Sequence, residues 1–588
     1  MKQKNEKFFV SAKNIKGETF SIPTKQRALI LQGGGALGYY EIGVLQSLYE
    51  NLFKKSSQIG DDSKVNGSEK GPTNEGHNST TDKSNKNYDN EQYFDIVAGV
   101  SIGAINAVYL VDCILKNKGD WGDFPTKLKS FWDAFKANTF ADSPMFHFMW
   151  NNFRGFNPLI ASIESARRYW SFYQLACTPY PTGDSPNLCY SVYRYDDKYF
   201  SPLNAFYLYN YKPLKDLMLN SINYPIKTEI EKKQPRLLLL SVDVMDCSTP
   251  VMFDSYRSYK STCDVCGQKL GENQLLANHI KEHIQEISKK GDELDSQVLK
   301  RSLLSENSVT DQKDSNSVWI SIYGDEDNDG RKHVVTYNGI DNDILMTSCL
   351  FPYSSNHTSL YDLYSKKIRT FWDGAFLSNT PLREVIQKHK DFWTDYFDAN
   401  DIEYDKHGEY EKEIYENHRK GIASTIPKIP DLEIFIVNLY PAVETFDSEI
   451  PQGKDKIEDR INDIRFHDRS KYDEKVAHLI TDYIDLTREL IKLAKDKGKV
   501  EHSDIEKLLE TTGESTKRNV KQKRTWAQLV EDKFRVKVYR IDRQDDEDTI
   551  FGKASDFTPT TLAKLYEDGL KDSNKWFKEQ YKEWKINV

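Results

Sequence analysis

Long apolar runs are missing from this 588-residue chain. No uninterrupted stretch reaches the roughly 18 apolar residues that a membrane-spanning helix needs, so no such span is expected. The first residues, MKQKNEKFFVSAKNIKGETF, lack the apolar segment and cleavage pattern of a secretory signal. Cysteine is scarce. Seven scattered residues cannot build a disulfide framework, and reduced thiols are the default. An excess of positive charge is also absent: 81 basic residues against 90 acidic ones leave a net charge of −9. That balance gives no general attraction to nucleic acid or anionic lipid, and either partner would need a local basic patch. The expectation is a soluble, cytoplasmic protein that meets a membrane only peripherally, with nucleic acid not among its partners.

What is present is an ordinary core interrupted by polar insertions. Hydrophobic residues make up 38% and charged ones 29%, which is polar for one compact globule. A short apolar run, Ala28 to Leu31, reads as a buried strand. Three glycines follow it, and then Leu37, Val44, Leu45, Leu48 and Leu52 recur at helical spacing. From Ser56 to Asn90 only Ile59 and Val65 are aliphatic, so a disordered insertion is expected there. Phe94 to Ala98 is a second strand, followed by a tight turn and a helix. A third strand lies near Pro235 to Met245, and a second polar insertion begins at Ser261. Core patterning returns in VWISIYG, HVVTYNG, DILMTSCLFP and LEIFIVNLYP. A long helix follows, with Val476, Ile480, Tyr483, Leu486, Leu490 and Leu493 on one face, and then a last strand, FRVKVYRI, and a C-terminal amphipathic helix. Strands alternating with helices predict an α/β fold: a doubly wound, mainly parallel sheet with helices on both faces, plus polar and helical insertions.

This pattern divides the chain into a core segment at 1–55, an insertion at 56–92, core at 93–260, and an insertion at 261–316. Core resumes at 317–445, with a helical extension at 446–530 and a closing core strand and helix at 531–588.

Three stretches carry the chemistry of acyl transfer, which needs an activated nucleophile, oxyanion donors and a base. Gly99-Val100-Ser101-Ile102-Gly103 is a G-x-S-x-G turn directly after a strand and opening a helix, the setting of a nucleophile elbow. The glycines permit a sharp turn that exposes the hydroxyl, and the helix N-terminus favours negative charge. Outside that setting, a plain β–α turn would explain the motif equally well. Gly33-Gly34-Gly35-Ala36-Leu37-Gly38 leaves backbone N–H groups bare, which suits an oxyanion hole. The competing reading, a dinucleotide or phosphate cradle, is weaker, because no Walker lysine and no ribose-binding acid follow. The third stretch is Trp372-Asp373-Gly374-Ala375 with Asn379, Pro381 and Leu382; taken alone, its Asp-Gly would be an ordinary turn.

Together these stretches resemble the patatin-like phospholipases, in a bacterial or archaeal branch. GGGALGYYEIGVL resembles the family's glycine-rich oxyanion motif, GVSIGAINA its nucleophile elbow and DGAFLSNTPL its aspartate motif. LLLLSVDVMD and DILMTSCLFP resemble the core segments between them, in order. The resemblance spans about Arg27 to Ile464 with the insertions removed, plus the C-terminal helix. It implies a lipid acyl hydrolase of the phospholipase A type. Ser101 is nucleophile, Asp373 is general base, Gly33, Gly34, Gly35 and Gly38 form the oxyanion hole, and Gly99, Gly103, Gly374 and Ala375 shape the two turns. It also implies no catalytic cofactor, and membrane phospholipid or another acyl lipid as substrate. Three departures are visible: Leu37 stands where many relatives carry a basic residue, Ala375 where Gly is common, and the insertion at Ser261 makes the spacing from Ser101 to Asp373 longer than usual. A triad through His357 is the less favoured arrangement. A thioesterase or small-ester hydrolase is the alternative activity.

The second insertion holds a different signature. Cys263, Cys266, His279 and His283 have the C-x2-C-x12-H-x3-H spacing of a Cys2His2 zinc finger, with Leu270 and Leu276 at its small apolar core. Four protein ligands leave no open position, so the zinc would be structural. The helix region has no basic stripe, which points to a staple or a protein-binding knob and away from DNA. A regulatory protein that uses this finger to bind a protein partner is the alternative of another class. Two fainter features remain. Asp325 to Gly330 begins like a calcium loop, but Thr336 occupies the place of the bidentate Glu, so a polar turn is expected. The aromatics from Phe140 to Phe156 read as buried packing before they read as a lipid-facing lid.

Overall fold

The computed structural model describes residues 9–51, 94–133, 194–195, 209–210, 212–244, 250–259, 319–324, 332–336, 339–350, 358–365, 367–406, 426–440, 454–496, 502–516, 523–526, 534–544 and 553–587. It also describes 263, 265–268, 279–280, 282–283 and five positions between 413 and 420. The insertion at 56–92, the aromatic stretch from Phe140 to Phe156, His357 and the 325–330 segment lie outside the described residues.

The sequence folds around a parallel block. Strand β1 (Lys25–Leu31) is buried along its whole length, as an interior parallel strand must be when helices cover both faces. On one side it pairs with β2 (Ile96–Gly99), and β2 with β3 (Arg236–Asp243), all parallel. On the other side it pairs with β9 (Asp431–Asn438), and β9 with β10 (Val536–Asp542), again parallel. Beyond β3 the sheet turns antiparallel through β8 (Lys367–Asp373) and β7 (Thr358–Asp362), and β4 (Pro250–Asp254) is a side branch on β3. Strands β5 (Trp319–Gly324) and β6 (Lys332–Thr336) complete the far edge, giving the order β6-β5-β7-β8-β3-β2-β1-β9-β10.

Alternate residues of these strands feed two cores, the period of two that pleating imposes. Leu29, Leu31, Val97, Leu237, Leu239 and Val437 pack under α1 (Gly38–Tyr49), α2 (Ile102–Lys116) and α7 (Pro559–Asn587). Ala28, Ile30, Ala98, Leu238, Leu240 and Ile434 face the other way, against Leu382 and Val385 of α4 (Leu382–Ala399). The C-terminal helix closes on the first one, and Tyr40 donates to Asp572 at 3.2 Å. A shorter helix, α3 (Asn342–Cys349), lies against β8, β3 and α2. The sheet is therefore mixed and mainly parallel, with helices on both faces. The helical extension contains α5 (Lys454–Phe466) and α6 (Ser470–Asp496). On α6 the side chains of Tyr483, Leu486, Leu490 and Leu493 are exposed instead of packing inward.

The N-terminal ends of β1 and β9 are tied by charge. Glu433 receives Lys25 at 3.1 Å and Arg27 at 3.2 Å, with all three side chains buried. Removing one partner from a buried pair leaves an uncompensated charge, which costs about 3–5 kcal/mol. Glu433→Ala should therefore destabilise the fold by about 3 kcal/mol in denaturant unfolding. A loss below about 1 kcal/mol would show that other groups compensate the two cations.

Candidate active site

Strand register brings the glycine loop, Ser101 and Asp373 to one level. Leu31 stands opposite Gly99, and Gly99 opposite Leu239. Two residues further along each strand direction come Gly33, Ser101 and Ser241, and Ser241 pairs with Asp373 across the antiparallel β3–β8 ladder. The site thus forms at the carboxyl ends of β1 and β2, the end of the strands at which open α/β folds bind their ligands.

Ser101 sits in the turn between β2 and α2 with φ 56° and ψ −125°. A non-glycine residue in this region costs of order 1–3 kcal/mol and persists only when its surroundings hold it. Several contacts do so. The amide of Ser101 donates to Ser348 Oγ at 3.1 Å, and Ser348 in turn donates to the Leu240 carbonyl at 2.6 Å. The Cys349 thiol donates to the Ser101 carbonyl at 3.4 Å. Gly103 is required by close approach: a Cβ there would run into the carbonyls of Leu31 and Gln32. Helix α3 therefore pins the elbow from below, a role that nothing in the sequence DILMTSC signals.

Asp373 ends β8. Its amide donates to the Leu350 carbonyl at 2.8 Å, and its Oδ1 accepts from the Ala375 amide at 2.9 Å. Oδ2 is buried and has no hydrogen-bond partner among the described residues. Burial pushes the carboxyl up to about 7, opposed by the nearby Ser101 hydroxyl and the Ala375 amide. Ser101 is close enough to act on this ionisation, yet the two side chains do not meet hydrogen-bond geometry, and Oδ2 stays without a partner.

The glycine loop divides into two pairs. The Gly33 amide is spent on Asn379 Oδ1 at 3.0 Å, and the Gly38 amide bonds back to the carbonyls of Gly35 and Ala36. These two N–H groups are committed, which corrects the expectation that all four glycines supply oxyanion donors. Gly34 and Gly35 remain, joined by Ile102, whose N–H opens α2 and has no intrahelical acceptor. A Cβ at Gly33 would lie 2.8 Å from both the Ser101 Cβ and Asn379 Oδ1 and 3.4 Å from the Ala375 Cβ, so only glycine fits against the elbow and the Asp-Gly turn together.

Asn379 is the clamp between the two turns. It returns a bond from Nδ2 to the Gly33 carbonyl at 3.1 Å and reaches the Phe466 carbonyl at the same distance. Its place in the aspartate motif was visible in the sequence, its partner was not. Gln32 does similar work on the other side, accepting from the Leu439 amide at 2.7 Å and donating to Thr380. The arrangement offers a strained hydroxyl, a nearby buried carboxyl with one oxygen free of partners, and a glycine loop whose Gly34 and Gly35 amides are uncommitted. That is the inventory of acyl transfer.

Away from the sheet, Cys263, Cys266, His279 and His283 converge, with all four ligand atoms within 4.8 Å of one another. The two His Nε2 atoms are 3.1 Å apart, Cys266 Sγ is 3.3 Å from His279, and Cys263 Sγ is 3.7 Å from His283. Such separations suit a tetrahedral ion with thiolate and imidazole bonds of about 2.3 and 2.1 Å. Gly267, at φ +71°, closes the turn by donating to the Cys263 carbonyl at 2.8 Å.

Residues 29–174 match the family model described as patatin-like phospholipase. That stretch includes the glycine loop and Ser101 and ends before Asp373. Among solved structures the chain is similar to VipD from Legionella pneumophila, at 10% identity and a TM-score of 0.25, covering 97% of this chain and 70% of that one. It is also similar to a chain of the complex of full-length SpcU with full-length ExoU from the type III secretion system of Pseudomonas aeruginosa. There the identity is 13% and the TM-score 0.11, covering 42% of this chain and 40% of that one. At such scores neither likeness carries an argument. No curated protein matches the chain.

The burial of Asp373 has a consequence for stability. With the folded-state value raised from 3.8 to about 7, the folded protein holds this proton after the unfolded chain has released it. Stability from this group is complete below about pH 4 and is lost as pH rises to about 7. Asp373→Asn should therefore be more stable than wild type above pH 7, by a few kcal/mol at about 1.4 kcal/mol per pKa unit, with the advantage vanishing near pH 4. Thermal unfolding of both proteins across pH 4–8 checks this, and a difference independent of pH would contradict it.

Proposed function

We propose, for a chain whose residues 29–174 match the patatin-like phospholipase family model, that the protein hydrolyses acyl esters of lipids with a Ser101–Asp373 dyad. The observation that carries this reading is a fully buried Asp373, its Oδ2 without a partner, close beside a serine held at φ 56°. In the proposed reaction the Ser101 Oγ attacks the ester carbonyl carbon while its proton passes to Asp373. The tetrahedral oxyanion is received by the amides of Gly34, Gly35 and Ile102. The carbonyl reforms as the C–O bond to the leaving alcohol breaks, and Asp373 returns the proton to that alcohol. Water then attacks the acyl-serine by the same route in reverse, releasing the fatty acid. No cofactor enters these steps.

A base with a value near 7 is well matched to proton transfer at neutral pH. It must be ionised to act, so kcat/KM should fall as pH drops below about 7. Among the described residues no helix is long and apolar enough to cross a membrane, and peripheral contact from the cytoplasmic side is the proposed mode of reaching lipid. The segments 1–55, 93–260, 317–445 and 531–588 are proposed to form one hydrolase core, interrupted by the polar insertion, the Cys/His segment and the helical extension.

For the Cys/His cluster we propose one structural zinc. A closed set of two thiolates and two imidazoles would hold the ion without an exchangeable position, stapling the insertion without entering the chemistry. Docking of a protein partner is the further use proposed for that segment.

Ser101→Ala and Asp373→Asn should each lower fatty-acid release from phospholipid by roughly a thousandfold or more, since paired groups act as a unit. Substantial activity in either variant would reject the dyad. Elemental analysis should find about one zinc per chain, reduced in Cys263→Ser. Zinc content unchanged in that variant would remove the cluster as the site.

A further inference from the structure

A cleft of about 770 Å³ opens beside the Asp-Gly turn, between residues 375–384 and the junction of α5 with α6. One end lies beside the candidate active site. Ala375 and Asn379 line it, and these are the residues that press on and hydrogen-bond Gly33. Its walls depart from the charge of the chain, which is −9 overall. Arg383, Arg465, Arg469, Lys471 and Lys475 face it, against Glu384, Asp468 and Asp473.

Two of those three acids are already engaged. Asp468 accepts from Arg540 Nε and from the Ser470 amide, both at 2.8 Å, and Glu384 lies 3.4 Å from Arg383. Among the described residues Arg465, Lys471 and Lys475 have no acidic partner, and all three are exposed. The first turn of α6 lines the same wall, and the helix dipole adds to the attraction for an anion. The rim is apolar: Phe376, Leu377 and Tyr472, beside the exposed Ile464 of α5. A cationic pocket ringed by apolar side chains and lying beside the proposed esterase centre has the polarity of a glycerophospholipid viewed from its headgroup.

Resting on the lipid-hydrolase reading, we infer that this cleft is the headgroup subsite, in which Arg465 and Lys471 bind the phosphate of an anionic glycerophospholipid while its ester reaches Ser101. Both cations lie outside the proposed catalytic machinery, so their effect falls on binding of a charged substrate.

The test uses short-chain lipids kept monomeric, which separates a subsite from simple attraction to a charged membrane. With dihexanoyl phosphatidylglycerol and dihexanoyl phosphatidylcholine, wild type should show a KM about fivefold or more lower for the anionic lipid. The double variant Arg465→Gln/Lys471→Gln should raise that KM about tenfold, the scale of a lost charge-assisted contact. Its KM for phosphatidylcholine and its turnover of a neutral soluble ester should stay within about twofold. Equal KM values for the two lipids in wild type, or no change in the double variant, would overturn the subsite while leaving the hydrolase reading intact. Inorganic phosphate binding as tightly as phosphatidylglycerol would assign the cleft to free phosphate and overturn it too. Ser101-dependent cleavage of the soluble ester with neither lipid attacked would instead sink the lipid reading on which the inference stands.

Discussion

The close approach of three turns at the end of the parallel block governs everything else in this molecule. Register alone brings Gly33, Ser101 and Asp373 to the same level, because β1, β2, β3 and β8 are locked by ladders on both sides. The turns can then touch only if no side chain stands between them. Gly33 meets that condition against Ser101 and Asn379, and Gly103 against the carbonyls of Leu31 and Gln32. A sheet slipped by one residue would turn each of these side chains to the opposite face.

The site is costly in isolation and affordable only in this setting. A serine at φ 56° and a carboxyl raised to about 7 by burial each oppose folding. What offsets them lies in the layers around: two apolar cores on the two faces of the sheet, and a shell of hydrogen bonds from Ser348, Cys349, Asn379 and Gln32. These supporting residues make few contacts with open space. They fix where the atoms of the proposed dyad are, so that Ser101 and Asp373 stay close although their side chains do not hydrogen-bond.

Much of this was legible from local pattern. Apolar runs of four to eight residues marked the buried strands, and glycine-rich punctuation after β1 and β2 marked the turns that matter. The Cys and His spacing anticipated the convergence of Cys263, Cys266, His279 and His283. Long-range pairing was less legible. Nothing in a helical Thr-Ser-Cys announces that Ser348 will hold the amide of Ser101, and nothing in a glycine repeat tells which amides will be used up. Gly33 and Gly38 look equal to Gly34 and Gly35 in sequence, but Asn379 and the carbonyls of Gly35 and Ala36 accept their hydrogen bonds. The antiparallel half of the sheet was likewise hidden, since a strand's own sequence does not state its neighbour's direction. The cleft beside the Asp-Gly turn is built from side chains some 90 residues apart, and no window of sequence contains it.

In the proposed dyad Asp373 sets the reactivity of Ser101. The most direct measurement is the rate at which a fluorophosphonate labels Ser101, followed by mass spectrometry across pH in wild type and in Asp373→Asn. The account predicts labelling at Ser101 alone, rising with pH through an apparent value of about 7 in wild type and slow at every pH in the variant. Labelling that is insensitive to pH, unaffected by Asp373→Asn, or directed to another residue would contradict it.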